Sequence, residues 1–182
     1  MIFVGVDYSV NSPGITVLFD DGTFHSLCFL QEPPSGPVDP RLTYFVRDNS
    51  SMSTFEKYIS NRDLLLLALS VLPAENTIIL FEDYSFGSKG NITMLAENCG
   101  IAKLSAFEKG YTIELCSPQS VKKNAVGKGT ASKEEMVEKF HELVDIDFSF
   151  LRRKSDKKVI EDIADSYHIA QKARADYLEK VV

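Results

Sequence analysis

The stretch IFVGVDYS, residues 2–9, constrains this chain more than any other. It is apolar enough to read as a central strand, yet it holds an aspartate, Asp7. A carboxylate buried near mid-sheet without a partner is very costly. The strand therefore predicts a compensating group, as well as a sheet. Shortly after it, GITVLFDDGTFHSLCFL places two strands around Asp21-Gly22, a hairpin turn signal. The chain thus opens with three antiparallel strands.

The segment QEPPSGPVDP follows, with four of the seven prolines. Because proline removes ladder donors, residues 31–53 read as a long surface loop. Residues 54–71 read as a helix ending near Pro73. NTIILFEDYSF reads as a fourth strand, apolar until Glu82. NITMLAENCGIAKLSAFEKG reads as a helix stopped by Gly110, with Ala96, Cys99, Ala102 and Ala106 on its packed side. YTIELC is a fifth strand. SPQSVKK is a short helix capped by Ser117, with Pro118 in its first turn. After the VGKGTA loop, Ser132 and Glu135 form a capping box for a further helix. A basic loop leads into a last helix over about 157–180. The expected fold is α/β: a five-stranded mixed sheet, three antiparallel strands then alternating helices and strands, flanked by helices. No internal repeat is visible, and 182 residues with 44% apolar content suit one domain spanning 1–182.

Several classes are excluded. No apolar run approaches the roughly 20 residues that span a bilayer, and the start lacks the basic segment and cleavage-like site of a signal peptide. The expected location is cytoplasmic. Cys28, Cys99 and Cys116 are far apart and odd in number, so they read as reduced, buried thiols. The net charge of −6 argues against nucleic-acid binding if taken alone. Its distribution argues otherwise. Residues 115–133 carry four lysines and no acid, and RRKSDKK at 152–158 carries five basic residues and one acid.

In KKVIEDIADSYHIA, residues 157–170, Val159, Ile163, Tyr167 and Ala170 form one apolar stripe. Asp162 and Asp165 run beside it, with Glu161 nearby. Like charges at this spacing weaken a helix by about 0.2–0.5 kcal/mol. If the first and fourth strands are neighbours and this helix crosses them, Asp7, Glu82, Asp162 and Asp165 converge. Clustered carboxylates repel unless a cation neutralises them, and hard divalent ions with oxygen ligands are the natural partners. Two such ions can clamp the attacking and leaving oxygens of a phosphodiester. Taken singly, Asp7 also reads as a carboxylate capped by backbone amides, Glu82 as a surface acid, and the helix acids as solvated residues.

Four motifs in order, from residue 2 to about 173, resemble the RuvC-type Holliday-junction resolvases of the RNase H-like superfamily, especially the phage and viral branch. They are GVDYS, FEDYSF, VGKGTASK (the pattern G-x-G-x-A-x-K at Gly127, Gly129, Ala131 and Lys133) and EDIADSYHIA. The resemblance implies an endonuclease that resolves four-way DNA junctions by phosphodiester hydrolysis. It implies that Asp7, Glu82, Asp162 and Asp165 bind two Mg²⁺ ions, with Mn²⁺ able to substitute. Lys122 and Lys133 would offset charge at the phosphate. Tyr84 or Phe86 would stack on or wedge between bases, and Lys89, Lys123, Lys128, Arg152, Arg153 and Lys154 would contact DNA. Paired cuts across a twofold junction imply a homodimer, with the helix 91–109 in its interface. A phage-encoded enzyme would work in the host cytoplasm.

This chain departs from that pattern in having Tyr8-Ser9 where Pro-Gly is usual, a displaced aromatic, and a longer 31–53 loop. An RNase H-type or broad flap and branch nuclease is the alternative reading. A non-catalytic junction binder fits poorly with four intact acids. An actin-like phosphotransferase needs a second domain, and no GxxxxGK[ST] loop is present. His168, three residues after Asp165, reads as either a packed histidine or an assisting group. Glu161 reads as a bystander.

Overall fold

Alternation along the first strand decides which way its acid points. In the computed structural model, which describes residues 1–83, 92–151 and 157–181, β1 spans Ile2–Asp7. Val4, Val6 and the following Tyr8 pack on one side, and Phe3 on the other. Side chains two apart share a face, so Asp7 lies on the Phe3 side, at the carboxyl end of the strand.

β2 (Gly14–Phe19) and β3 (Phe24–Leu30) continue antiparallel from β1, joined by the expected turn, where Gly22 has φ 87°. On the other flank β5 (Thr77–Glu82) lies parallel to β1, and β6 (Thr112–Cys116) lies parallel to β5. The β1–β5 register pairs Val6 with Phe81. The next step along both strands is Asp7 and Glu82, so two carboxylates finish neighbouring parallel strands.

The sheet has six strands, in the order β4-β3-β2-β1-β5-β6. This corrects the reading of 31–53 as loop throughout and of the sheet as five-stranded. Leu42–Val46 forms β4, parallel to β3 at the sheet edge. The prolines all precede it. The segment LTYFV itself is rich in β-branched and aromatic residues, which suit a pleated, half-buried surface.

Two helices cover one face: α1 (Thr54–Leu69) and α2 (Ile92–Glu108). Leu64, Leu65, Cys99, Ala102 and Ala106 bury against Val4, Val6, Ile79 and Phe81. The other face carries α3 (Pro118–Val126), α4 (Lys133–Leu143) and α5 (Lys157–Val181). Val121, Met136, Ile169 and Ala170 bury against Phe3, Leu18 and Leu80. The stripe read from sequence is the buried one: Val159, Ile163, Tyr167 and Ala170 are all inside. All three cysteines are buried and free. Among the described residues, no helix is long and apolar enough to cross a membrane.

Two glycines let α5 settle onto the sheet. A Cβ at Gly5 would lie 2.1 Å from the Ser166 carbonyl oxygen and 2.3 Å from the Ala170 nitrogen. A Cβ at Gly14 would lie 2.1 Å from the Asp162 carbonyl oxygen. Gly14 is the partner of Asp7 in the β1–β2 register. The close approach therefore sets Asp162 directly beside the end of β1. Gly5→Ala should force the helix backbone away and cost about 3 kcal/mol or more, read by urea or thermal unfolding. Gly36→Ala, with nothing within 4 Å, should stay within about 0.5 kcal/mol of wild type.

Candidate active site

The ends of β1 and β5, the first turn of α4, the first three turns of α5, and α3 enclose a cleft of about 300 Å³. Asp7, Glu82, Asp162 and Asp165 all line it, together with Lys122, Lys133 and Lys158. The sequence reading proposed this convergence of four acids and two of these lysines. Lys122 is presented by α3, which Ser117 caps through its hydroxyl, accepting from the Ser120 amide at 3.2 Å. Buried Val121 seats that helix. Lys133 opens α4, whose capping box is formed as expected: the Glu135 amide donates to Ser132 Oγ at 3.2 Å, and the Ser132 amide to Glu135 Oε2 at 2.8 Å.

The carboxylates are held in a state they resist. Asp162 is buried, while Asp7, Glu82 and Asp165 are half-buried. Part of Asp7 opens into the cleft, but protein surrounds it densely. Its burial, then the charges of Asp165, Asp162 and Glu82, push its carboxyl well above the usual range, against the pull of Lys133. Burial and Asp165 push Glu82 up to about 7, with Lys122 and Lys133 opposing. Burial pushes Asp162 up to about 6, although a hydrogen bond from Ser12 and the charge of Lys158 act the other way. Asp165 is raised chiefly by burial and restrained by Lys133.

Lys133 lies 3.8 Å from Asp165 Oδ2 and 3.3 Å from Glu161 Oε2. Burial pulls its ammonium down, but Asp165, Glu161 and Asp7 more than reverse that, and the group ends up raised. Glu161 is therefore no bystander. It shares Lys133 with the cleft.

Ser12 Oγ donates to Asp162 Oδ2. Ser12, Ser9 and Lys158 were not singled out from sequence, and a serine in a turn carries no signal that it will meet a carboxylate 150 residues away. His168 resolves as a packed residue: it is buried, its Nε2 lies 2.9 Å from the Met136 carbonyl on α4, and its ring stands edge-on to Phe140. Lys123 and Lys128 are exposed and do not line the cleft, and Lys128 is paired with Glu135. Tyr84, Phe86, Lys89, Arg152, Arg153 and Lys154 lie outside the described residues.

Among the described residues, no three His, Cys, Asp or Glu side chains are gathered into a ready metal-binding group. The donor chemistry nevertheless fits a hard divalent cation: carboxylate oxygens only, mutually repelling and half-desolvated, with capacity for positive charge. An apolar groove between β4 and α1, lined by Phe29, Phe45, Ile59, Leu64 and Leu67, is larger at about 400 Å³. Its only ionisable groups, Glu56 and Asp63, are occupied by a helix cap and by Arg62, so it lacks the convergent polar groups of a reactive site.

A six-stranded mixed sheet in the order β4-β3-β2-β1-β5-β6, with helices on both faces, is an α/β fold of the RNase H-like kind. Within that class the architecture is that of RuvC. The chain superposes on Thermus thermophilus RuvC with a TM-score of 0.64 at 19% identity, covering 100% of this chain and 97% of that one. It superposes equally well, at TM-score 0.64 and 17% identity, on T. thermophilus RuvC in complex with Holliday junction substrate, covering 99% and 96%. No protein-family model and no curated protein matches the sequence.

A carboxylate whose folded-state value is raised binds protons that the unfolded chain has already lost. Folding is then penalised as pH rises from the unfolded value toward the folded one. For Glu82 that window runs from the ordinary 4.5 to about 7. Glu82→Gln should be more stable than wild type by about 2–3 kcal/mol at pH 8, and this advantage should vanish near pH 4.5, as read by denaturant melts across that range.

Proposed function

We propose that the chain is one RNase H-like nuclease domain, a divalent-metal-dependent, structure-selective endonuclease that resolves four-way DNA junctions by phosphodiester hydrolysis. The observation that carries this reading is the cleft itself. On a RuvC fold, four carboxylates from β1, β5 and α5 face two lysines from α3 and α4. A RuvC of this same architecture is seen with Holliday junction substrate.

In this reading Asp7, Glu82, Asp162 and Asp165 hold Mg²⁺, two ions per site with Mn²⁺ as a substitute. Bound there, the metal supplies charge neutralisation and an activated water for in-line attack. The protein's own groups do the rest. The strand ends fix Asp7 and Glu82 against each other, and α5 brings Asp162 and Asp165 to meet them. Lys133 and Lys122 offset negative charge developing on the phosphate, and in a desolvated cleft such groups act more strongly than in water. Exposed Lys123 and Lys128 hold DNA backbone and carry no sequence information.

A four-way junction has two equivalent strands to cut, so the active species is a homodimer. The small residues of α2 are spent inside the chain, where Cys99, Ala102 and Ala106 are buried. Its outward face offers exposed Gly100, Leu104 and Phe107 to a second copy.

The decisive assay compares an immobile four-way junction, a flap, an RNA–DNA hybrid and linear duplex, with Mg²⁺ and with EDTA. Preferred, EDTA-sensitive cutting of the junction is expected. Preference for the hybrid or the flap would replace this reading with an RNase H-type or broader branch nuclease. Asp7→Asn should bind the junction as wild type does and lose cleavage by at least about 10³-fold; normal cutting by that variant would remove the carboxylates from the mechanism.

Junction affinity should fall steeply with salt. Lys123→Gln should weaken binding to all branched substrates alike and reduce the log–log salt slope by about 0.9, measured by titration between 50 and 200 mM salt.

A further inference from the structure

The residue that follows β4 has a setting that its position at a sheet edge does not call for. Arg47 is only 5% exposed. Its amide donates to the Leu30 carbonyl at 2.7 Å, continuing the β3–β4 ladder. Its guanidinium lies 3.9 Å from the centre of the Phe29 ring. From there it reaches inward: Nη1 donates to Asn61 Oδ1 at 2.5 Å and Nη2 to the Asn11 carbonyl at 2.6 Å, with the Val10 carbonyl at 3.4 Å. Among the described residues, no carboxylate pairs with it. Removing a cation from water without an anion is costly, and a turn could be held at the surface far more simply.

The cluster converges on a single turn. Asn61 on α1 donates to the Ser9 carbonyl at 3.2 Å and to the Val10 carbonyl at 3.0 Å, and it reaches Asn98 Oδ1 on α2 at 3.3 Å. Asn49 donates to the Asn11 carbonyl at 2.9 Å. Three successive carbonyls, Ser9 to Asn11, are thereby fixed from inside the protein. The turn is closed by the Ser12 amide donating to Ser9 Oγ at 2.9 Å. It begins two residues after Asp7 and ends on the hydroxyl that binds Asp162.

We infer that Arg47 is a positioning residue: with Asn61 it clamps the Ser9–Ser12 turn, from which Ser12 orients the Asp162 carboxylate for the metal-dependent cleavage proposed above. The inference rests on that reading for its chemistry, while the clamp itself rests on the contacts. It also gives the 31–53 segment a task, since β4 is the element that delivers Arg47. A lysine cannot replace it. One ammonium cannot reach Asn61 and the Asn11 carbonyl together, whereas the planar fork of arginine does.

The test compares wild type, Arg47→Lys, Ser12→Ala and the double variant. Arg47→Lys retains the charge and the aliphatic stem over Phe29, and Ser12→Ala removes one half-buried hydroxyl. Ser12→Ala therefore reads the far end of the clamp even if Arg47→Lys folds poorly. Three quantities are measured: amide hydrogen exchange over residues 9–12, Mn²⁺ affinity of the protein alone by calorimetry, and the single-turnover rate on a four-way junction.

Arg47→Lys should speed exchange over 9–12, and Ser12→Ala should not. Each should weaken Mn²⁺ binding by about 10-fold, and the double variant should lose no more than the larger single loss because the two act in series. Faster exchange in Arg47→Lys with wild-type Mn²⁺ affinity and wild-type rate would overturn the inference and leave Arg47 a structural residue. Weakened Mn²⁺ binding in the variants, together with a wild type that cuts none of the DNA substrates, would overturn the nuclease reading and leave the clamp in place.

Discussion

The contact on which the rest depends is backbone against backbone, where α5 crosses Gly5 and Gly14. No side chain separates helix from sheet at those two points. The helix can therefore bring Asp162 and Asp165 against the ends of β1 and β5. An alanine at either position would hold the helix off by more than the cleft can absorb, since packed interiors relax only partially. The acidic site thus follows from the absence of two Cβ atoms.

That proximity has an electrostatic cost which the fold offsets only in part. Asp7, Glu82, Asp162 and Asp165 are all raised, with burial as the first cause in each case. Lys122, Lys133 and Lys158 oppose the shift, and Ser12 adds a hydrogen bond. The remaining imbalance is of the kind that a bound hard cation would relieve. Lys133 stands between Glu161 and Asp165, and so connects the acids of the cleft to the outer surface of α5. Three lysines face the four acids of this cleft, on a protein whose net charge is −6.

The parts of this arrangement that follow periodic rules were legible in the sequence. Asp7 and Glu82 interrupt apolar strand patterns, and the stripe Val159, Ile163, Tyr167 and Ala170 fixes where Asp162 and Asp165 point. Capping residues located α3 and α4. The rest was hidden for physical reasons. β4 follows four closely spaced prolines, so its own β-favouring composition was outweighed by its neighbours. Arg47 and Asn61 bond mainly to backbone carbonyls, which every residue possesses, so neither side chain has a recognisable partner in the sequence. Ser12 meets Asp162 only because of how the sheet and helix are stacked. Glu161 reads as a bystander on its own helix because the lysine it pairs with lies on another.

The order of these elements along the chain has a consequence for when the protein acquires its chemistry. β1, β2 and β5 are made well before α5, and Ser12 waits for a partner 150 residues later. Such long-range closure is slow compared with local pairing. Until α5 is made, Asp7 and Glu82 stand without Asp162 and Asp165. The cleft closes in a late step, when α5 docks, and the four carboxylates meet only in the completed fold.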